Sequence, residues 1–148
     1  MSTPALTVVE LRTYLSDLPE CNLLLDKEEF GNVQLKLAID LAISEFNLTA
    51  PVTAFTLESF PTGYKSLLMS GALYKLFLGA SALSARNTLS YSDGGLQVPI
   101  EEKFAMYQSL AQMFQADFTS QTRLLKNQMN YESGWGYVSS DAIRLPGW

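Results

Sequence analysis

The 148-residue chain has no histidine, one cysteine and an unusually small share of charged residues, 17%. Each shortage removes a class of function. Without histidine the commonest general base and metal ligand is missing, and Ser-His and Cys-His catalysis go with it. Cys21 alone can close no internal disulfide and build no zinc site. It follows Pro19-Glu20 in an acidic neighbourhood, a poor setting for a reactive nucleophile. There is no glycine-rich phosphate loop either. Ser92-Asp93-Gly94-Gly95 lacks the lysine and the strand-to-helix setting that such a loop needs.

Charge is also unevenly placed. The net charge is −5. Residues 1–58 carry nine acidic groups against Arg12, Lys27 and Lys36, while the rest carries six acidic and seven basic groups. No basic stripe is available to neutralise phosphates, so specific nucleic-acid binding is not expected. An acidic face instead suits a surface past which DNA slides without sticking. Residues Met1–Ala5 lack the basic segment and apolar run of a secretion signal. Leu67–Leu83 is the longest apolar run. It holds Lys75 near its centre and two glycines, and reads as a buried core helix rather than a membrane span.

The hydrophobic share, 47%, combines with the scarcity of charge to predict apolar surface left over after folding. Such surface usually meets a partner, and an oligomer is the expectation. One domain is enough for this length. The chain reads as all-α, an antiparallel bundle of about four helices with a hairpin or loop between the third and fourth. A bundle domain over 1–131 is expected to lead into an extended C-terminal arm over 132–148.

Val8, Leu11, Leu15 and Leu18 share one helix face, Thr7 and Glu10 have capping-box spacing, and Pro19 is the expected stop. The second helix should run from about Asn32 to Phe46. Leu35, Ile39, Ala42 and Phe46 form one stripe, and Val33, Leu37 and Leu41 an adjacent one. Asn47 is the expected end and Pro51 prevents continuation. Pro61 suits the first position of a third helix reaching about Ala85, the most buried element, whose small residues admit a close neighbour. Asp93-Gly94 within LSYSDGGLQV is a hairpin signal. A fourth helix from near Pro99 to about Asn130 carries the seam Ile100, Phe104, Tyr107, Ala111, Phe114, Phe118 and Leu125, interrupted by Gln121. The remaining segment has no period but holds Trp135, Tyr137 and Trp148, residue types that dominate binding hot spots.

Two carboxylate pairs, Glu28-Glu29 and Glu101-Glu102, are the remaining candidates for acid-base chemistry. Neighbouring helix residues point apart, whereas a hydrolase needs carboxyls facing across a cleft. Glu101 and Glu102 are explained by the positive end of the fourth helix. No enzyme, cofactor or metal is expected. Asn47-Leu48-Thr49 matches a glycosylation acceptor but reads as a helix end. Lys75 and Arg86 either pack their stems on the core, or reach a salt bridge across a subunit boundary.

In order of elements the sequence resembles head–tail connector proteins of tailed bacteriophages, of the neck adaptor or head-completion type. The resemblance covers about Val8 to Val138. It rests on Leu23-Leu24-Leu25-Asp26 before Glu29-Phe30, on Glu45-Phe46-Asn47, and on Phe60-Pro61 ahead of the apolar helix. The Arg86-Asn87-Thr88-Leu89-Ser90-Tyr91-Ser92-Asp93-Gly94-Gly95 stretch is its most specific part, and Gly134-Trp135-Gly136-Tyr137 completes it. The family implies a homo-oligomeric ring, commonly twelvefold, that docks on the portal protein, extends the DNA channel and carries further neck or tail proteins. The implied location is the neck of the virion, after assembly in the host cytoplasm and without a membrane. The resemblance places portal or neighbour contacts on Trp135, Tyr137, Arg144, Leu145 and Trp148, and a hairpin contact on Tyr91, Asp93, Gly94 and Gly95. The competing expectations are another neck or tail structural protein, and a non-viral helical module that binds proteins.

Overall fold

The computed structural model describes residues 4–22, 27–86, 92–93, 96–97 and 102–135. Helix α1 spans Val8–Leu15, α2 Asn32–Leu48, α3 Lys65–Arg86 and α4 Glu102–Trp135. Between α3 and α4, strands β1 (Ser92–Asp93) and β2 (Leu96–Gln97) pair antiparallel, with Asp93 opposite Leu96. The architecture is an all-α antiparallel bundle.

Local chemistry accounts for the helix limits. The Thr7 hydroxyl accepts from the Glu10 amide at 3.2 Å, and the Glu10 carboxylate accepts from the Thr7 amide at 2.9 Å. This reciprocal cap satisfies two donors that the first turn leaves free. At the other end α1 stops before Pro19, because Ser16 takes a left-handed conformation at φ 52° and returns its amide to Arg12 and Thr13. Gln34 caps α2 by accepting from the Gly31 amide at 2.9 Å. Helix α2 continues two residues past Phe46, to Leu48, where the Thr49 amide and hydroxyl both turn back onto the Glu45 carbonyl. Pro61 does not begin the α-helix directly. It precedes a single 3-10 turn, Thr62–Tyr64, which feeds α3.

Helix α3 lies between the other long helices. Along it, Ser70, Tyr74 and Phe77 meet Asp117, Gln115 and Tyr107 of α4 in descending order, which fixes the antiparallel sense. Gly71 marks the tightest crossing. A Cβ there would stand 2.6 Å from the Phe118 ring and 2.9 Å from the Ala42 methyl. Only glycine lets α2, α3 and α4 converge at this point. Phe77 gathers Phe30, Tyr107 and Phe114 at ring separations of 6.1, 6.0 and 5.9 Å. Phe46, Phe55 and Phe60 form a second aromatic group at the other end of α3. Phe30, Phe46, Phe60 and Phe77, the buried phenylalanines of these groups, each contribute about 1.5–3 kcal/mol of transfer free energy.

The expected core stripes are present: Leu35, Ile39, Ala42 and Phe46 on α2, and Tyr107, Ala111, Phe118 and Leu125 on α4, are buried. Phe104 and Phe114 are partly covered. Helix α4 ends later than its sequence pattern suggested, running through Glu132–Trp135; Pro99 and Ile100, expected at its start, lie outside the described residues. Its 34 residues make it about 51 Å long.

Candidate interaction surfaces

Three features of the described surface bear on function: an open groove between α2 and α3, an apolar ridge on α4, and a polar clamp that fixes α1. The groove has a volume of about 420 Å³. Its walls are Leu37, Ala38 and Leu41 from the first half of α2, and Leu76, Gly79, Ala80 and Leu83 from the second half of α3. Lys103 and Tyr107, at the beginning of α4, close one side. The second α2 stripe seen in the sequence is therefore not core. Val33, Leu37 and Leu41 are 81%, 56% and 44% exposed, because α3 covers only the neighbouring face.

The groove rim is mostly cationic. Lys75, Arg86 and Lys103 line it, with Glu29 the one acid. Lys75 makes a salt bridge to Glu45 of the same chain and lies 4.6 Å from the Tyr74 ring centroid. Within the chain, Lys75 is therefore paired. Glu29 accepts from the Tyr107 hydroxyl. Burial, this hydrogen bond and the nearby negative charge push the Tyr107 hydroxyl well above the usual tyrosine range. Arg86 and Lys103 have no carboxylate within ion-pair distance among the described residues.

The ridge runs along α4. Met106, Met113, Leu124 and Tyr131 are 49%, 56%, 68% and 68% exposed. At 100° per residue these four positions fall within about 20° of one another. Between Phe104 and Tyr131 the exposed charges on α4 are Asp117 and Arg123, and the rest of that face is glutamine, serine, threonine, asparagine and alanine.

The clamp holds α1 against the start of α2. Asp17 accepts from the Glu29 and Phe30 amides at 2.6 and 2.9 Å, from Asn22 at 2.7 Å and from Arg12 at 2.9 Å. Arg12 also reaches the Phe30 carbonyl, Asn32 and Glu28. Burial pushes the Asp17 carboxyl up, but the two amides, Asn22 and Arg12 outweigh it and hold the net value below the usual aspartate range. Asn47, expected only as a helix end, organises the next loop by bonding the Phe55 amide and carbonyl and the Thr53 hydroxyl.

Of the contact residues named from the sequence, Trp135 closes α4 and Asp93 sits in β1 rather than in a turn. Tyr91, Gly94, Gly95, Tyr137, Arg144, Leu145 and Trp148 lie outside the described residues. Glu101 is also outside them, and Glu102 begins α4. Cys21 is exposed and unpaired. No group of three or more Cys, Asp or Glu side chains among the described residues is placed to hold a metal ion. Thr62–Arg86 is long and apolar enough to cross a membrane by length and composition, and 56% of its most apolar window is buried inside the bundle.

Comparison with family models, with curated proteins and with solved structures gives no match.

Proposed function

We propose that the chain is a structural subunit of a phage head–tail connector ring, docking on the portal, extending the DNA channel and carrying neck or tail components. The observation that supports this reading most directly is the apolar surface left on two separate faces, the α2–α3 groove and the α4 ridge. Scattered apolar side chains are ordinary on a monomer, whereas grouped ones such as those of the groove mark a partner; the α4 row is interrupted between Met113 and Leu124 by Asp117 and Ser120. Two such faces suit a subunit with a neighbour on each side. The acids exposed on the N-terminal half, among them Glu20, Asp40 and Glu58, suit a wall past which DNA moves. The contacts assigned to Trp135, Tyr137, Arg144, Leu145 and Trp148 belong to this proposal, as do those of Tyr91, Asp93, Gly94 and Gly95.

The test is native mass spectrometry of the purified chain with the portal ring encoded in the same genome. Addition of the chain as a full ring of copies is the expected result. Removal of residues 136–148 leaves α4 whole and should abolish docking. A portal ring that stays bare with the full-length chain overturns the reading.

The groove itself favours a second reading, a helical module outside any virion that holds a partner's amphipathic helix. That protein would stay a monomer or dimer with the portal present and would bind helical peptides through Leu37, Leu41 and Leu83.

A further inference from the structure

We infer that the α2–α3 groove seats the last turns of α4 from a second copy of this chain. The inference rests on the ring reading and names the lateral contact within it.

Three observations select this occupant. Leu124 and Tyr131, each 68% exposed, are the most exposed large apolar residues described on α4; Leu124 points away from buried Leu125 and Lys126, and Tyr131 lies beyond them. They offer two large anchors two turns apart, and the groove offers Leu37, Leu41 and Leu83 around the bare backbone of Gly79. Charge matches as well. Among the described residues Arg86 and Lys103, at the groove edge, have no carboxylate within ion-pair distance. Glu132 is the one acidic residue of α4 after Asp117, and among the described residues its carboxylate meets only the Gln128 amide, at 2.9 Å. Finally, the last turn of α4 contains no basic residue. No basic side chain of that turn offsets the partial negative charge at this end of the helix, and a cationic rim complements it.

The contact cannot form within one molecule. Tyr107 lines the groove, and Leu124 to Glu132 lie roughly 25–38 Å further along the same helix. The two surfaces differ, so the pairing is heterologous: each copy offers its α4 end to one neighbour and its groove to the other. Such contacts repeat until they close into a ring or continue as a filament.

Disulfide trapping tests this without the portal, so the contact and the connector reading can fail separately. In a Cys21→Ser background, L83C and Y131C are introduced together and singly, and folding is checked by circular dichroism. Both positions are largely exposed, so the core is untouched. Under mild oxidation at up to about 1 mM protein, the double variant should give a ladder of linked multimers on non-reducing gels, and each single variant should stay monomeric. Adding Glu132→Lys should reduce the ladder by roughly tenfold, and adding Arg86→Glu to that variant should restore it. Dimers from Y131C alone indicate α4 ridges packed on each other and overturn the inference. A double variant that remains monomeric overturns it as well, and so does a ladder indifferent to both charge reversals.

Discussion

The ammonium of Lys126 lies 4.2 Å from the centroid of the Phe46 ring, with no carboxylate in ion-pair distance among the described residues. It donates instead to the Pro51 carbonyl at 2.8 Å and the Thr53 hydroxyl at 2.7 Å, and the residue is only 1% exposed. Thus a single side chain of α4 ties the loop after α2 to the bundle. Lys126→Met removes a desolvated charge, which helps, but strands two part-buried acceptors, which costs more. The net expectation at neutral pH is a loss of about 1–3 kcal/mol in urea denaturation. Burial holds the Lys126 pKa below its usual 10.5. The folded state thus releases this proton before the unfolded state does, so the Lys126 contribution to stability rises as pH climbs toward 10.5. The stability gap between wild type and Lys126→Met should widen over that window.

Two glycines of α3 should respond to alanine with opposite signs. Helix propensity alone makes Gly→Ala a gain of about 0.5–1 kcal/mol. At Gly79 nothing stands within 4 Å of a new methyl, so Gly79→Ala should show that gain. At Gly71 the methyl would enter the Phe118 ring and the Ala42 methyl, and overpacking of this kind costs about 1–3 kcal/mol. Gly71→Ala should therefore lower the melting temperature, and adding Phe118→Leu should recover part of the loss. Equal shifts at the two positions would show that the three helices do not meet at Gly71.

Thr122 is the described residue whose buried hydroxyl finds no hydrogen-bond partner. An unpaired buried polar group is costly, and valine has nearly the same shape. Thr122→Val should raise stability by roughly 1 kcal/mol. A loss in differential scanning calorimetry would mean that the hydroxyl is satisfied after all.

What the sequence made legible was periodic or local. The Thr7–Glu10 cap needs only a spacing of three, and the α2 and α4 core stripes need only one face of a helix. Lys126 was hidden, because a lysine in a helical pattern reads as solvated and its two acceptors lie more than seventy positions earlier. The Arg12–Asp17 clamp was hidden for the same reason: its amides come from across a loop. The α2 stripe of Val33, Leu37 and Leu41 was visible as a pattern. Whether it faces core or water is decided by where α3 crosses, which periodicity does not encode. Leu124 and Tyr131 fall outside the α4 seam, so the ridge became visible only once burial was known.

Asp17→Asn tests that clamp. The amide keeps one accepting oxygen, so one of the Glu29 and Phe30 amides loses its partner and buried Arg12 loses its nearest charge. Breaking a buried pair on one side costs about 3–5 kcal/mol, a large fraction of a small domain's stability. Guanidinium unfolding at neutral pH should show this loss. Amide hydrogen exchange should accelerate first at Glu29 and Phe30.

Acid should weaken the α1 cap before it affects the core. Glu10 bonds Lys65 at 2.5 Å and also accepts from the Thr7 amide and hydroxyl. The Lys65 bond first, then the Thr7 bonds, lower its pKa from 4.5 to about 2. Because the folded value lies below the unfolded one, the stabilisation is fully present above pH 4.5 and is lost as pH falls toward 2. Both partners are about two-fifths exposed, so solvent limits the ion pair to no more than about 1 kcal/mol. Glu10→Gln should flatten the pH dependence of the urea midpoint in this window. Lys65→Met should remove part of it, since the Thr7 bonds remain. If Glu10→Gln left the acid limb unchanged, Glu10 would not be the group that titrates, and the cap of α1 would not depend on its charge.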